Sequence, residues 1–288
     1  MNNKIPVLII GGKGFIGSAI ARALNNHSFS CFTIGRNECD LLNYIDTEKY
    51  LKRFKKKSIY IVFTAAIRGD RDNSSTSMEK NIKMIRNFIK ASKDLNIISL
   101  VFLSSIDVYA QENNSPLTEE SDVFPSSFYA TSKVCSEYML RSALSSSTCT
   151  ILRLPGVYGK GDNQESIIGQ FANAMIKDQE ICFYNKGDQL RDYVFAEDIG
   201  EIVCYLIKKP MPGIFNVATG ESLKILSIIE LISKTLEKKA DLHKIVAHSK
   251  DSNVSISCNK LFEYMPGISI TPMNLGIKKY IQENFRDE

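Results

Sequence analysis

Short apolar runs alternate with helix-like segments along the first half of the chain. The runs are rich in Val, Ile and Phe and lack polar alternation, which is typical of strands buried on both faces of a parallel sheet. They cover residues 7–10, 31–34, 59–65, 99–105 and 149–154. Helical patterns lie between them at 14–25, about 46–55, about 77–93 and about 128–144. This order predicts an α/β fold with a doubly wound parallel sheet.

Three glycines, Gly11, Gly14 and Gly17, follow the first predicted strand and open the first predicted helix. The first permits a tight turn, the second lets the backbone approach a pyrophosphate, and the third lets the helix pack on the sheet. The helix N-terminus then faces the phosphates. In this context the trio predicts a dinucleotide site in a Rossmann-type sheet. The alternative is a structural turn without a ligand.

The second predicted strand ends where NAD-binding proteins place an acid for the ribose 2′-hydroxyl. Gly35 and Arg36 occupy that point, and Glu38 and Asp40 come later. Because a guanidinium suits a 2′-phosphate, NADP(H) is the preferred cofactor. NAD(H) remains possible, with Arg36 at the surface and Asp40 contacting the adenosine end.

The pattern loosens after Pro155. It still predicts a helix near 164–177, a short strand at 180–184, a long amphipathic helix at about 224–238 and a helical tail at 271–285. We predict a dinucleotide-binding domain at 1–157, to which about 192–217 return. Residues 158–191 and 218–288 are predicted to form a smaller α/β substrate-binding domain.

Composition narrows the classes of function. The chain has 288 residues and a net charge of only +4, too weak a bias to indicate nucleic-acid binding. Its seven cysteines include no C-x-x-C pair, which favours free thiols in a reducing compartment. The apolar run near the N-terminus is too short for a signal peptide or a membrane span. These features predict a cytoplasmic protein. His27, His243 and His248 show no metal-ligand spacing, so no metal site is predicted.

Tyr129 and Lys133 are spaced by one helical turn. Neighbours at this spacing are common on any helix, so the spacing alone does not assign them a role. Five motifs surround them in order: "GGKGFIG", "SSIDVYA", "YATSK", "RLPGVYGKGD" and "RDYVFAEDI". Together they resemble those of the extended short-chain dehydrogenase/reductases, which include UDP-galactose 4-epimerase and the nucleotide-sugar dehydratases and reductases. The resemblance covers about residues 4–236.

The resemblance implies roles for individual residues. Tyr129 and Lys133 match the catalytic Tyr-x-x-x-Lys, and Ser105 matches the catalytic serine or threonine. Residues expected at the cofactor are Gly11, Gly14, Phe15, Ile16, Gly17, Arg36, Asp40, Leu41, Ala65, Ala66, Asn81, Tyr129 and Lys133. A free tyrosine titrates near pH 10. The ammonium of Lys133 and an oxidised nicotinamide would favour the phenolate, so Tyr129 could move a proton while hydride moves to or from the nicotinamide.

The family's dehydratases carry two acids after the catalytic threonine, whereas Ile106 and Asp107 follow Ser105 here. Dehydration is therefore not expected. We expect an NADPH-dependent reductase of a keto group on a nucleotide-activated deoxysugar. A 4-epimerase with tightly bound NAD is the alternative. A non-catalytic NADP-sensing protein is a third possibility, disfavoured because Tyr129 and Lys133 are both present.

Fewer residues indicate where the substrate binds. Arg191 matches an arginine that binds the diphosphate of nucleotide sugars in relatives, and an interdomain salt bridge is the alternative. Ser105 and Asp107 are the other candidate substrate contacts, and Asp107 could instead bond the backbone of its own turn. An asparagine common in relatives is missing, since Gly156 stands there. The family pairs subunits through two helices that correspond to 77–93 and 128–144, which implies a homodimer.

Overall fold

The computed structural model describes residues 5–110, 116–144, 149–184, 186–246 and 253–285. The strands are β1 Val7–Ile10, β2 Cys31–Ile34, β3 Ser58–Phe63, β4 Asn96–Ser105, β5 Cys149–Leu154, β6 Gly156–Tyr158, β7 Ile181–Tyr184, β8 Leu190–Arg191, β9 Tyr193–Phe195, β10 Gly213–Asn216, β11 Leu223–Lys224 and β12 Leu242–Ile245. The helices are α1 Phe15–Asn26, α2 Tyr44–Leu51, α3 Ser75–Ala91, α4 Phe128–Ala143, α5 Ile167–Ile176, α6 Ala196–Lys208, α7 Ile225–Leu236, α8 Asn259–Tyr264 and α9 Met273–Asn284.

The central sheet has six strands in the order β2-β1-β3-β4-β5-β10. The pairs β1–β2, β1–β3, β3–β4 and β4–β5 are all parallel. Its inner strands are apolar on both faces because helices cover both sides, so β1 is fully buried. The predicted doubly wound parallel sheet is confirmed.

Helix α2 differs from its predicted span. It begins at Tyr44, earlier than predicted, because the side chain of Asn43 accepts hydrogen bonds from the backbone N–H groups of Ile45 and Asp46. It also ends earlier, and a short 3-10 helix at Lys52–Phe54 follows it. Among the described residues β2 and β10 are the two edge strands of the sheet, and a loop joins β2 to α2.

The chain divides into two compact units. The first falls within Met1–Ala110, Ser121–Leu154 and Ile199–Phe215, and its core joins the sheet to its helices through side chains such as Phe63 and Phe88. The second falls within Gln111–Glu120, Pro155–Asp198 and Asn216–Glu288. Its core is built around Tyr158 and Tyr280, whose rings meet edge to face at 6.0 Å. No helix in the described ranges is long and apolar enough to cross a membrane.

Candidate active site

The glycine loop joins β1 to α1 with very little space around its backbone. Gly11 has φ +87°, a conformation that strains any L side chain. A Cβ at Gly17 would lie 2.3 Å from the carbonyl oxygen of Gly11. Gly14 is the N-cap of α1 and offers no capping side chain, so the first N–H groups of the helix, beginning at Phe15 and Ile16, are left for another acceptor. This turn fits the pyrophosphate of a dinucleotide.

The carboxyl end of β2 is followed by Arg36 and Glu38, and Lys13 crosses it from the glycine loop. Arg36 is exposed there. A Cβ at Gly35 would lie 2.8 Å from Cγ of Lys13, so the lysine side chain crosses the same point. The Glu38 carboxylate lies 3.6 Å from the Lys13 ammonium and accepts the N–H of Gly35 at 2.9 Å, and this backbone bond is the main cause of its lowered pKa. Sequence reasoning found Arg36 but missed Lys13, because that lysine comes from the glycine loop.

The other residues expected at the adenosine and ribose lie in two loops. Asp40 accepts the N–H of Leu42 at 3.0 Å, and the carbonyl oxygen of Leu41 accepts a hydrogen bond from Asn87 on α3 at 2.8 Å. Ala65 follows β3 and borders the glycine loop, since its nitrogen would lie 2.7 Å from a Cβ on Gly11. Ala66 is the next residue in that loop. Their contacts with a cofactor remain predictions.

Tyr129 and Lys133 lie on one face of α4, as their spacing predicted. The Lys133 ammonium is buried, donates to the carbonyl oxygen of Leu103 on β4 at 2.7 Å and lies 5.6 Å from the centre of the Tyr129 ring. A Cβ on Gly69, in the loop after β3, would lie 2.9 Å from Cβ of Tyr129. The loop therefore packs directly on the tyrosine.

Ser105 ends β4, next to the residues that hold the lysine. Its hydroxyl donates to Oδ2 of Asp107 at 2.9 Å and accepts the N–H of Asp107 at 3.2 Å. The alternative role considered for Asp107 was a bond from its side chain to the backbone of its own turn. In the structure its carboxylate accepts a hydrogen bond from the hydroxyl of Ser105 instead. Serine and aspartate form one polar group at the end of the strand.

Electrostatics favour a neutral tyrosine. Burial raises the pKa of Tyr129, the charge of Asp107 raises it further, and Arg68 opposes both. Burial also lowers the pKa of Lys133 to about 8, against the charges of Glu137 and Asp107. Desolvation outweighs the protein charges that act on Tyr129. The lowering of its pKa expected from Lys133 together with an oxidised nicotinamide stays a prediction.

Sequence reasoning missed the loop that covers Tyr129. The Asn73 side chain accepts the N–H of Tyr129 at 3.0 Å. Asn81, expected at the cofactor, bonds Ile67 of this loop through both its oxygen and its nitrogen, and also donates to Ser132 on α4 at 3.2 Å. No local sequence pattern indicates these bonds, because their partners are far apart in the chain. The amide of Asn81 holds the loop against α4, and its contact with a cofactor stays a prediction.

Arg191 lies in the second unit, on β8. The strand pairs antiparallel with β11, where Leu223 stands opposite Arg191. The guanidinium donates to the carbonyl oxygen of Leu190 at 2.8 Å, and its charge opposes the burial that raises the pKa of Tyr193 to about 12. Its predicted role at a diphosphate is not tested by these contacts.

Comparison with known proteins places these features in one family. A model of the NAD dependent epimerase/dehydratase family matches residues 7–218. Protein CapI of Staphylococcus aureus is 27% identical, with 82% of this chain and 85% of CapI covered. The dTDP-4-dehydro-6-deoxyglucose reductase of Escherichia coli is 25% identical, with 82% and 84% covered. The structure of UDP-glucose 4-epimerase from Thermotoga maritima matches with a TM-score of 0.85 at 19% identity, over 97% of this chain and 98% of that one.

Proposed function

The chain belongs to the NAD-dependent epimerase/dehydratase family, and we propose that it is an NADPH-dependent reductase. Members of this family are enzymes of the extended short-chain dehydrogenase/reductase type that depend on a nicotinamide dinucleotide. The proposed substrate is a keto group on a nucleotide-activated deoxysugar.

The observation that carries the proposal is the pair of cations at the end of β2. Arg36 is exposed beside the point that Lys13 crosses, and the strand lies at the edge of the sheet. A guanidinium and an ammonium together suit the 2′-phosphate that distinguishes NADP from NAD. Glu38 partly offsets them, since its carboxylate pairs with Lys13.

Tyr129 is the proposed proton donor for the reductive direction. Reduction of a carbonyl needs a proton donor, and burial together with Asp107 keeps the phenol neutral. Ser105, at the end of β4, would hold the substrate oxygen next to the phenol of Tyr129. A nicotinamide cofactor bound along the glycine loop supplies the hydride. Lys133 would then stabilise the phenolate left after the proton has moved.

The substrate class rests on relatives and on two residues. The Escherichia coli relative, which is named as a reductase of a dTDP-linked deoxysugar, covers a similar length. Ile106 removes one of the acids that a dehydratase needs, so this enzyme would act on a ketone made elsewhere. Arg191 would bind the diphosphate, because its planar fork matches phosphate oxygens.

Glu38 favours a second candidate, a 4-epimerase that keeps NAD bound. A carboxylate at the end of β2 is the group that binds the ribose 2′-hydroxyl in NAD enzymes, and Glu38 reaches that place from its loop. The structural likeness to UDP-glucose 4-epimerase, at 19% identity, supports the shared fold alone.

One experiment separates the two candidates. The purified protein is denatured, any released nucleotide is identified by mass spectrometry, and the native protein is then mixed with NADPH and a panel of 4-keto and 4-hydroxy sugars linked to UDP, dTDP and GDP. The reductase consumes one NADPH for each ketone reduced and carries little cofactor. Stoichiometric bound NAD, with interconversion of hydroxy sugars and no external cofactor, would establish the epimerase instead.

A further inference from the structure

A buried ion pair lies next to Lys133 and has no part in the chemistry proposed above. Glu137 follows Lys133 by one turn of α4, so the two side chains share a face of the helix. Arg153, on β5, donates to both carboxylate oxygens of Glu137, through Nε at 3.1 Å and through Nη2 at 2.7 Å. Lys133, Glu137 and Arg153 are only 5%, 6% and 3% exposed. Removing such charges from water is costly, and stability alone is a weak reason for keeping them.

The Glu137 carboxylate is fixed by two neighbouring strands. In addition to the fork of Arg153, the hydroxyl of Ser104 donates to its Oε1 at 2.5 Å. Ser104 and Arg153 are partners in the parallel ladder between β4 and β5. The guanidinium also stacks 4.7 Å from the centre of the Tyr109 ring. The carboxylate cannot turn away from Lys133 without losing bonds to both strands.

The same segment of β4 holds the lysine. Nζ of Lys133 donates to the carbonyl oxygen of Leu103, the residue before Ser104. The Lys133 ammonium is thus bonded to Leu103, and the Glu137 carboxylate to Ser104, the next residue of β4. The two side chains also extend from consecutive turns of α4. This double attachment fixes their separation.

Different charged groups act on Lys133 and on Tyr129. Glu137 and Asp107 act on the Lys133 ammonium, and both oppose the burial that lowers its pKa to about 8. From the loop after β3, Arg68 and Asp70 act on Tyr129 instead. Helix α3 meets this part of α4 with the uncharged amide of Asn81, bonded to Ser132.

We propose that Glu137 is a positioning residue for Lys133. Held in place by Arg153 and Ser104, its carboxylate keeps the buried lysine an ammonium at neutral pH, directed at the face of Tyr129. The importance of this arrangement for catalysis rests on the proposed function, whereas the arrangement itself can be tested without any substrate.

The test follows the titration of one lysine by NMR. Protein labelled at the lysine Cε is titrated, and the Lys133 resonance is assigned by its loss in Lys133→Met. In the wild type it should titrate near pH 8, well below an ordinary lysine. A Glu137→Gln/Arg153→Met double variant removes both charges together and leaves no uncompensated buried ion. Its midpoint should fall by about one pH unit, a tenfold loss of proton affinity, because the loss of Glu137, the strongest opposite charge acting on the lysine, outweighs the loss of Arg153.

Two single variants test the direction of the shift in the Lys133 midpoint and replace the double variant if that one does not fold. Arg153→Met leaves the carboxylate unneutralised, so the midpoint should rise. Glu137→Asp keeps the charge but withdraws it by one methylene, so the midpoint should fall by less than in the double variant. An unchanged midpoint in a double variant shown to be folded by circular dichroism would overturn the proposal. If that variant does not fold, an unchanged or higher midpoint in Glu137→Asp overturns it. Failure of the reductase assay would leave this titration unaffected.

Discussion

At the scale of single residues, the Tyr129 hydroxyl can be removed without opening a cavity. Tyr129→Phe keeps the ring that packs on the loop after β3, so fold and cofactor binding should persist. The proton donor is lost, and kcat should fall by about 100-fold or more. Steady-state kinetics on the identified substrate measure this, with Tyr138→Phe, an exposed tyrosine of the same helix, as the control. A Tyr129→Phe enzyme with near-normal kcat would refute the assignment.

Arg36 and Glu38 should affect the choice of cofactor in opposite directions. Arg36→Ala should weaken NADPH binding by about tenfold, the usual loss for one charged hydrogen bond, and leave NADH nearly unaffected. Glu38→Gln removes the carboxylate that offsets the nearby cations, so NADPH should bind more tightly and NADH more weakly. Calorimetry with both cofactors measures these effects, and Lys49→Ala, exposed on α2, serves as the charge control. Equal affinities of the wild type for the two cofactors would contradict the NADP preference.

The sequence predicted some site residues and left out others for a physical reason. Tyr129, Lys133 and Arg36 stand in local patterns, next to a predicted helix or at the end of a predicted strand. The Glu137–Arg153 pair and Lys13 have no such pattern, since their partners come from elements that meet only in the folded chain. The raised pKa of Tyr129 was likewise missed, because desolvation depends on packing.

At the scale of elements, the start of α4 sets the place of Tyr129 in its first turn. Ser127 is the N-cap, and its hydroxyl accepts the N–H of Ala130 at 3.0 Å. Ser127→Ala should lower the free energy of unfolding by about 1 kcal/mol, because it leaves one helix donor without its partner. Urea denaturation measures the loss, with Ser126→Ala, an exposed neighbour, as the control. Equal stability of the two variants would show that the cap does not contribute.

Two elements of the first unit were predicted almost to the residue. The strand at 7–10 and the helix at about 128–144 agree with the structure to within a residue at each end. Helix α2 was shifted because its start depends on the cap at Asn43, which apolar spacing does not indicate.

At the scale of the whole molecule, we propose a homodimer formed through α3 and α4, which pack side by side. Tyr138 of α4 is 74% exposed, so its ring is accessible to a partner helix. Tyr138→Glu would place a charge in that interface, so a dimeric wild type should become monomeric. Light scattering after gel filtration measures the mass, with Tyr264→Glu, exposed in the second unit, as the control. A wild type that is monomeric at high concentration would exclude the dimer.

The first unit is interrupted along the chain, and this affects the order in which the protein can fold on the ribosome. Its segment Ile199–Phe215 contributes α6 and the edge strand β10, but is made only after the stretch from Pro155 to Asp198, which belongs to the second unit. At about 5–20 residues per second, translation of that stretch lasts roughly 2–9 s. During this delay β5 has no neighbour on one side. We expect nascent chains stalled before β10 to be cut by protease within this unit, and chains stalled well beyond it to resist.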